Sequence, residues 1–380
     1  MIKRFTLITF LFSISYISNA QYVETLTSHP KIVDGLYVDP HGDVYTCSGG
    51  LVGGFEIGKY DISNDTYNWN FANGFAGPIN IASYRDSLLI VTNYDNNSLS
   101  AYNINNGSIA TLGNINDGFD GPAGIAIDQN DNIFITNFGK PPTYSGHSIQ
   151  KKHANGSILN YIDSSALLRP QAICFNHNNE LIVHSNNVLY KVNSADSSLN
   201  SWVTLGFEVG NMTLRSKDSC IYAAAGGNTD QIIKITPHGA FSTFAGSSAG
   251  YTDGPLSTAK FNNPLGVAFS PYEDTLYVSE AGNARRLRRI IMNAPTAVKN
   301  DIQTKFRLSP NPASERLSIT SSQKIITVKI SDLTGHIFIN QSFNSKNAGV
   351  EISELPNGLY LLSTVTENGN YKTQKVIIQH

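Results

Sequence analysis

Cysteine is scarce: Cys47, Cys174 and Cys220 are the three in 380 residues. They are too scattered for a disulfide framework or a zinc site, both of which need close, paired spacings. They read as small buried hydrophobes, with a single bridge left open. Charge is scarce too. Charged residues make up 15%, and 27 Lys+Arg against 29 Asp+Glu leave a net charge of −2. That balance offers no electrostatic footprint for nucleic acid or an anionic membrane. No apolar run reaches the ~18 residues needed to cross a bilayer, so no transmembrane segment is expected. Helical periodicity is absent, and the nine histidines show neither H-x-H nor H-E-x-x-H spacing, which removes support for a zinc site. Asp117-Gly118-Phe119-Asp120-Gly121 is too short for a calcium loop of about twelve residues and reads as a turn.

What is present is a leader, a repeat and a distinct tail. Lys3 and Arg4, the apolar stretch 5–17 and Ser18-Asn19-Ala20 read as a secretory signal over residues 1–20, so that the mature chain begins at Gln21. Six copies of one strand pattern then follow, opening at Gly35, Asn80, Gly124, Ala172, Asn211 and Gly266, with starts 39 to 55 residues apart. This is the length of a four-stranded unit that cannot bury its own faces and must stack on its copies. Short polar turns such as Asp39-Pro40-His41-Gly42-Asp43 separate runs such as Leu88-Leu89-Ile90-Val91, the alternation of hairpin turns and β-formers. The fold class expected is all-β: a six-bladed β-propeller over 21–293, a linker over 294–305, and a small C-terminal β-sandwich over 306–380. The sixth copy lacks a fourth strand after 287–292, and Tyr22-Val23-Glu24-Thr25-Leu26-Thr27 has the composition to supply it, latching the ring and covering an exposed edge.

The sixth copy resembles an NHL repeat on Phe261-Asn262-Asn263-Pro264-Leu265-Gly266-Val267-Ala268, Leu276-Tyr277-Val278-Ser279-Glu280 and Gly282-Asn283-Ala284-Arg285. That family implies a propeller used as a binding platform. The tail resembles the type A sorting domain of the Bacteroidetes type IX secretion system, on Leu308-Ser309-Pro310-Asn311-Pro312-Ala313, Val328-Lys329-Ile330-Ser331-Asp332-Leu333-Thr334-Gly335 and Leu355-Pro356-Asn357-Gly358-Leu359-Tyr360. This resemblance implies an exported protein, extracellular or on the outer-membrane surface, whose residues 306–380 meet the type IX machinery.

In blade count the chain also resembles the regucalcin and gluconolactonase type, which implies calcium held on the axis by acidic or amide side chains just before each inner strand. The matching positions are Asp34, Ile79, Ala123, Gln171, Gly210 and Leu265. Asp34 alone keeps an acidic type, so no cofactor is expected, calcium being a weak alternative. A second ring, Ser48, Asn93, Asn137, Ser185, Ala225 and Glu280, ends the second strand of each copy. Asn93, Asn137 and Glu280 are candidates for ligand contact at a channel mouth, although such residues also bond local backbone. The long loops 48–58 and 137–148 should rise from the same face, with Phe55 and Tyr144 as aromatic contacts. No catalytic constellation emerges. The function expected is recognition of an extracellular protein or glycan; the alternative is an extracellular calcium-dependent hydrolase or lyase.

Overall fold

The second strand of each repeat is apolar on both faces, as in Leu88–Asn93 and Cys220–Ala225, each buried along almost its whole length. A sheet built on such strands must be covered from both sides. The computed structural model describes residues 21–380 apart from 51–52, 86, 293–305, 333–336 and 367–370. The leader at 1–20 and the linker at 294–305 therefore lie outside the described residues.

The described chain falls into two units divided near residue 295. The first holds six antiparallel sheets. Blades 1 to 5 span 36–73, 78–113, 122–163, 173–204 and 211–245, each with four strands in chain order. In blade 6, Pro264–Phe269, Thr275–Glu280 and Arg286–Ile291 are followed by Tyr22–Ser28, with the short Gly254–Pro255 outside it. Inner strands touch their neighbours in order, and blade 6 meets blade 1, so the ring is closed.

Six apolar clusters fill the spaces between successive blades. Val23 of the first strand is fully buried in the cluster between blades 5 and 6. Glu24 pairs with Arg289, and Thr25 donates through N and Oγ1 to Asp253, both at 3.0 Å. The three cysteines are free and buried.

Two devices hold adjacent inner strands close. At Gly124 a Cβ would stand 2.0 Å from the Gln171 carbonyl oxygen of the next blade, so only glycine fits. A hydroxyl on the second strand then bridges the blades. Thr136 Oγ1 accepts from the Gly124 amide at 2.8 Å and donates to Gln171 O at 2.9 Å. Thr92 does the same with Asn80 N and Ala123 O, and Ser279 with Gly266 N and Asp34 O. The equivalent residues in blades 1, 4 and 5 are Cys47, His184 and Ala224, so the belt is interrupted in blade 1 and again across the successive blades 4 and 5.

The second unit is one curled sheet around its own core, which includes Leu317, Ile319, Val328, Ile330, Val350 and Leu362. Sequence reading divides it into six strands, whereas five are seen. The segments 317–320 and 325–331 are one strand, Arg316–Ser331, and the described parts of 336–343 and 349–352 merge into Ile337–Glu351, with Ile352 just past its end. Ser321-Ser322-Gln323 looks like a turn, yet it continues the strand. Register shifts around Ile325 bend the ladder there, and a bulge does the work expected of a break.

Candidate functional site

The residues just before the inner strands converge on one end of the axis. Asp34, Ile79, Ala123, Gln171 and Leu265, joined by Tyr94, Phe138 and Arg285, line a cavity of about 290 Å³. Asn80 and Asn211, on opposite blades, meet below it across the channel, with Asn211 Nδ2 donating to Asn80 Oδ1 at 3.3 Å. A wider space of about 540 Å³ opens beyond this crossbar.

The Asp34 carboxyl lies against Gly49, where a Cβ would come within 2.7 Å of Oδ2. Gly49 has φ +83°, so its conformation and the room it leaves both call for glycine. Burial pushes the Asp34 carboxyl up to about 7, with the Arg285 charge opposing. Arg285 donates to the Pro30 carbonyl through Nη1 and forms no ion pair with Asp34. Tyr94 is fixed by its hydroxyl on Gly139 O at 2.9 Å.

Beside this cavity, and sharing Gln171, Asn263 and Leu265 with it, is a second of about 480 Å³. Asn187, Phe207, Glu208, Asn228 and Thr229 give it a wall rich in amide, hydroxyl and carboxylate groups. It opens where the hydroxyl belt is interrupted in blades 4 and 5. His184, fully buried there, makes no well-formed side-chain hydrogen bond; the Phe207 backbone and Glu208, at 3.8 Å, are nearest. Burial lowers its pKa to about 4, so the ring is neutral at pH 7. Glu208 is raised by burial, with Arg169 opposing at 3.5 Å.

The other expected site residues lie elsewhere. Asn93 and Asn137 are 1% exposed and Glu280 fully buried, so all three are corrected from mouth contacts to internal staples. Asn137 accepts from Asp120 N and donates to Gly118 O and Ser148 Oγ. Asn93 accepts from Ala76 N and donates to Ser98 and Ser100 hydroxyls. Glu280 accepts from Asn262 N and pairs with the buried Arg288 at 3.1 Å. Each accepts from the loop leading into its own blade. Phe55 is exposed but lines neither cavity. Tyr144 stands behind Phe138, ring to ring at 5.9 Å, and supports the cavity wall without lining it. Asp34 alone of the six lies on a cavity.

Sequence reading passed over Glu208, Asn228, Thr229 and Arg285. The signal within reach was the residue preceding each strand-end staple, Cys, Thr, Thr, His, Ala and Ser in blade order, in which two successive blades without a hydroxyl mark the blade 4 to 5 boundary. Gly246-Ser247-Ser248-Ala249-Gly250 spells G-x-S-x-G, but it lies between strands with no helix after it, which rules out a nucleophile elbow.

The axis does not fit calcium. A hard cation takes six or more oxygens, yet Ile79, Ala123 and Leu265 occupy three of the ring positions. Among the described residues no three His, Cys, Asp or Glu side chains cluster to hold a metal.

Fold and site together define a β-propeller carrying a ligand-sized basin at one end of its axis, followed in the chain by a second unit. Residues 307–379 of that unit match the secretion system C-terminal sorting domain, which implies interaction with the type IX machinery and delivery to the cell surface or the extracellular space. Solved structures similar to the propeller include an auxiliary nutrient binding protein from Bacteroides ovatus, at 16% identity and TM-score 0.57, covering 71% of this chain and 76% of that one. A gluconolactonase from Xanthomonas campestris is 10% identical at TM-score 0.56, covering 71% and 89%. Streptogramin B lyase is 16% identical at TM-score 0.51, covering 73% and 99%. These likenesses concern the fold. No curated protein matches the sequence.

Proposed function

We propose that the propeller is a recognition module for an extracellular protein or glycan, with a glycan favoured and the amide-lined basin as its site. The reading includes the export route: the signal at 1–20 takes the chain across the inner membrane, and the type IX machinery reads 306–380. The observation that carries it is the cavity of about 480 Å³ walled by Asn187, Asn228, Thr229, Asn263 and Glu208. Neutral amides and a hydroxyl offer paired donors and acceptors to a polyol, and Phe207 offers an apolar face. The volume falls within the range of small-ligand pockets.

The test is a glycan array with the full-length mature protein, followed by calorimetry on the best ligand. Glu208→Gln and Asn228→Ala should each weaken binding about tenfold, equivalent to about 1.4 kcal/mol, with unchanged melting. No hit on the array, or hits indifferent to both substitutions, would overturn the reading. Binding should also survive chelation; collapse on removing calcium would favour hydrolase or lyase chemistry instead.

A further inference from the structure

Beside the polar basin, the axial cavity has a different chemistry. Its walls are mostly apolar, through Val33, Ile79, Ala123, Phe138 and Leu265, and it has room for a small molecule of about 290 Å³. Two opposite charges, Asp34 and Arg285, reach it from blades 1 and 6. Charges lining one small apolar space ordinarily pair. These do not. The Asp34 carboxylate makes no hydrogen bond within the described protein, and the guanidinium of Arg285 is tied to Pro30 O through Nη1. The separation is kept by the backbone: Asp34 is lodged against Gly49, and Arg285 is anchored by its own N on Gly282 O and by His29 N on its carbonyl.

A half-buried carboxylate and guanidinium lining one cavity without pairing across an apolar floor are complementary to a molecule carrying the opposite pair. We propose that the axial cavity binds a small amphipathic zwitterion of the α-amino acid class, its ammonium on Asp34, its carboxylate on Arg285 and its side chain on Ile79, Ala123, Leu265 and Phe138. The ligand ammonium relieves the burial cost of the Asp34 charge, its carboxylate gives Arg285 a charged partner, and the apolar walls reward the side chain. Gln171 and Asn263, shared with the neighbouring basin, add amide donors and acceptors at the rim.

The other titratable groups near Asp34 are compatible. The Cys47 thiol, which feels the Asp34 charge, is buried with its pKa raised well above the ordinary value, and so is neutral. Lys140 donates to Asp95 O at 2.7 Å and lies over the Tyr94 ring at 5.9 Å, outside the cavity lining.

The inference goes beyond the glycan reading and fails separately from it. The experiment is calorimetric titration of the full-length mature protein at pH 8 with leucine and phenylalanine, each beside its N-acetyl and its amide forms. Acetylation removes the ammonium and amidation the carboxylate. A free amino acid should bind at least about tenfold more tightly than either capped form. Asp34→Asn should abolish the penalty for acetylation while leaving that for amidation, and Arg285→Gln should do the reverse. This crossed pattern does not arise from a merely structural role. Absence of binding by both free amino acids, capped forms that bind as tightly as free ones, or variants that lower all affinities equally would each overturn the proposal. Glycan binding measured on the same samples reports the neighbouring site separately.

Discussion

Asp34 sets the pH behaviour of the propeller. Its carboxyl titrates at about 7 when folded, against 3.8 for the free side chain, because burial disfavours the charge. The folded chain holds this proton more tightly than the unfolded chain does. The resulting stability is fully present below the unfolded value and is lost as pH rises to about 7. Asp34→Asn removes that dependence. Three pKa units would carry roughly 4 kcal/mol, and partial solvent contact reduces the expected gain of the variant at pH 8 to about 2 kcal/mol. Thermal melts at pH 5 and pH 8 check this, and a difference between the proteins that does not grow with pH contradicts it. Asp34 was legible as a site residue because a repeat aligns equivalent positions, and the same alignment names Gln171 as a position on the axis without a role. Asn93, Asn137 and Glu280 were not placed correctly for a physical reason. Alternation along a strand separates two faces, but in a blade covered on both sides it does not say which side chains turn inward to cap a loop. Arg285 reads only as part of the NHL-like stretch, because the arginines at 285, 286, 288 and 289, at and just before the strand Arg286–Ile291, each go somewhere different. Arg286 covers Tyr251, Arg288 pairs inside with Glu280 and Asp253, and Arg289 reaches Glu24.

At the scale of the element, the strand Tyr22–Ser28 bears the heaviest load for its length. It joins Arg286–Ile291 along almost its whole run and buries Val23 completely. Removing residues 21–28 strips the outer edge of blade 6 of its partner and uncovers the cluster it closes. Truncation should therefore lower the melting temperature of the whole propeller. Val23→Ala, which keeps the strand, should cost about 2 kcal/mol through the cavity it leaves. A thermal melt measures the first and urea titration the second, and a truncated chain that melts like the intact one contradicts the assignment. The blades were legible because hairpin turns and β-rich runs recur at a blade's spacing. The tail was less so. Composition cannot distinguish a turn from a bulge at Ser321-Ser322-Gln323 when pairing that ends at Thr320 resumes at Ile325 in the same strand.

At the scale of the whole molecule, residues 307–379 are a sorting domain and 21–292 a ring of blades. Deleting 306–380 should leave a folded propeller in the periplasm, as cell fractionation and immunoblotting would show; its continued appearance in the medium contradicts the export route. The ring also imposes an order of assembly. The strand made first belongs to the blade made last, so a chain emerging amino end first keeps that strand without its main neighbour until Ile291 has followed. Circularisation is the final step, and the nascent polypeptide carries an unsatisfied ribbon through much of its synthesis.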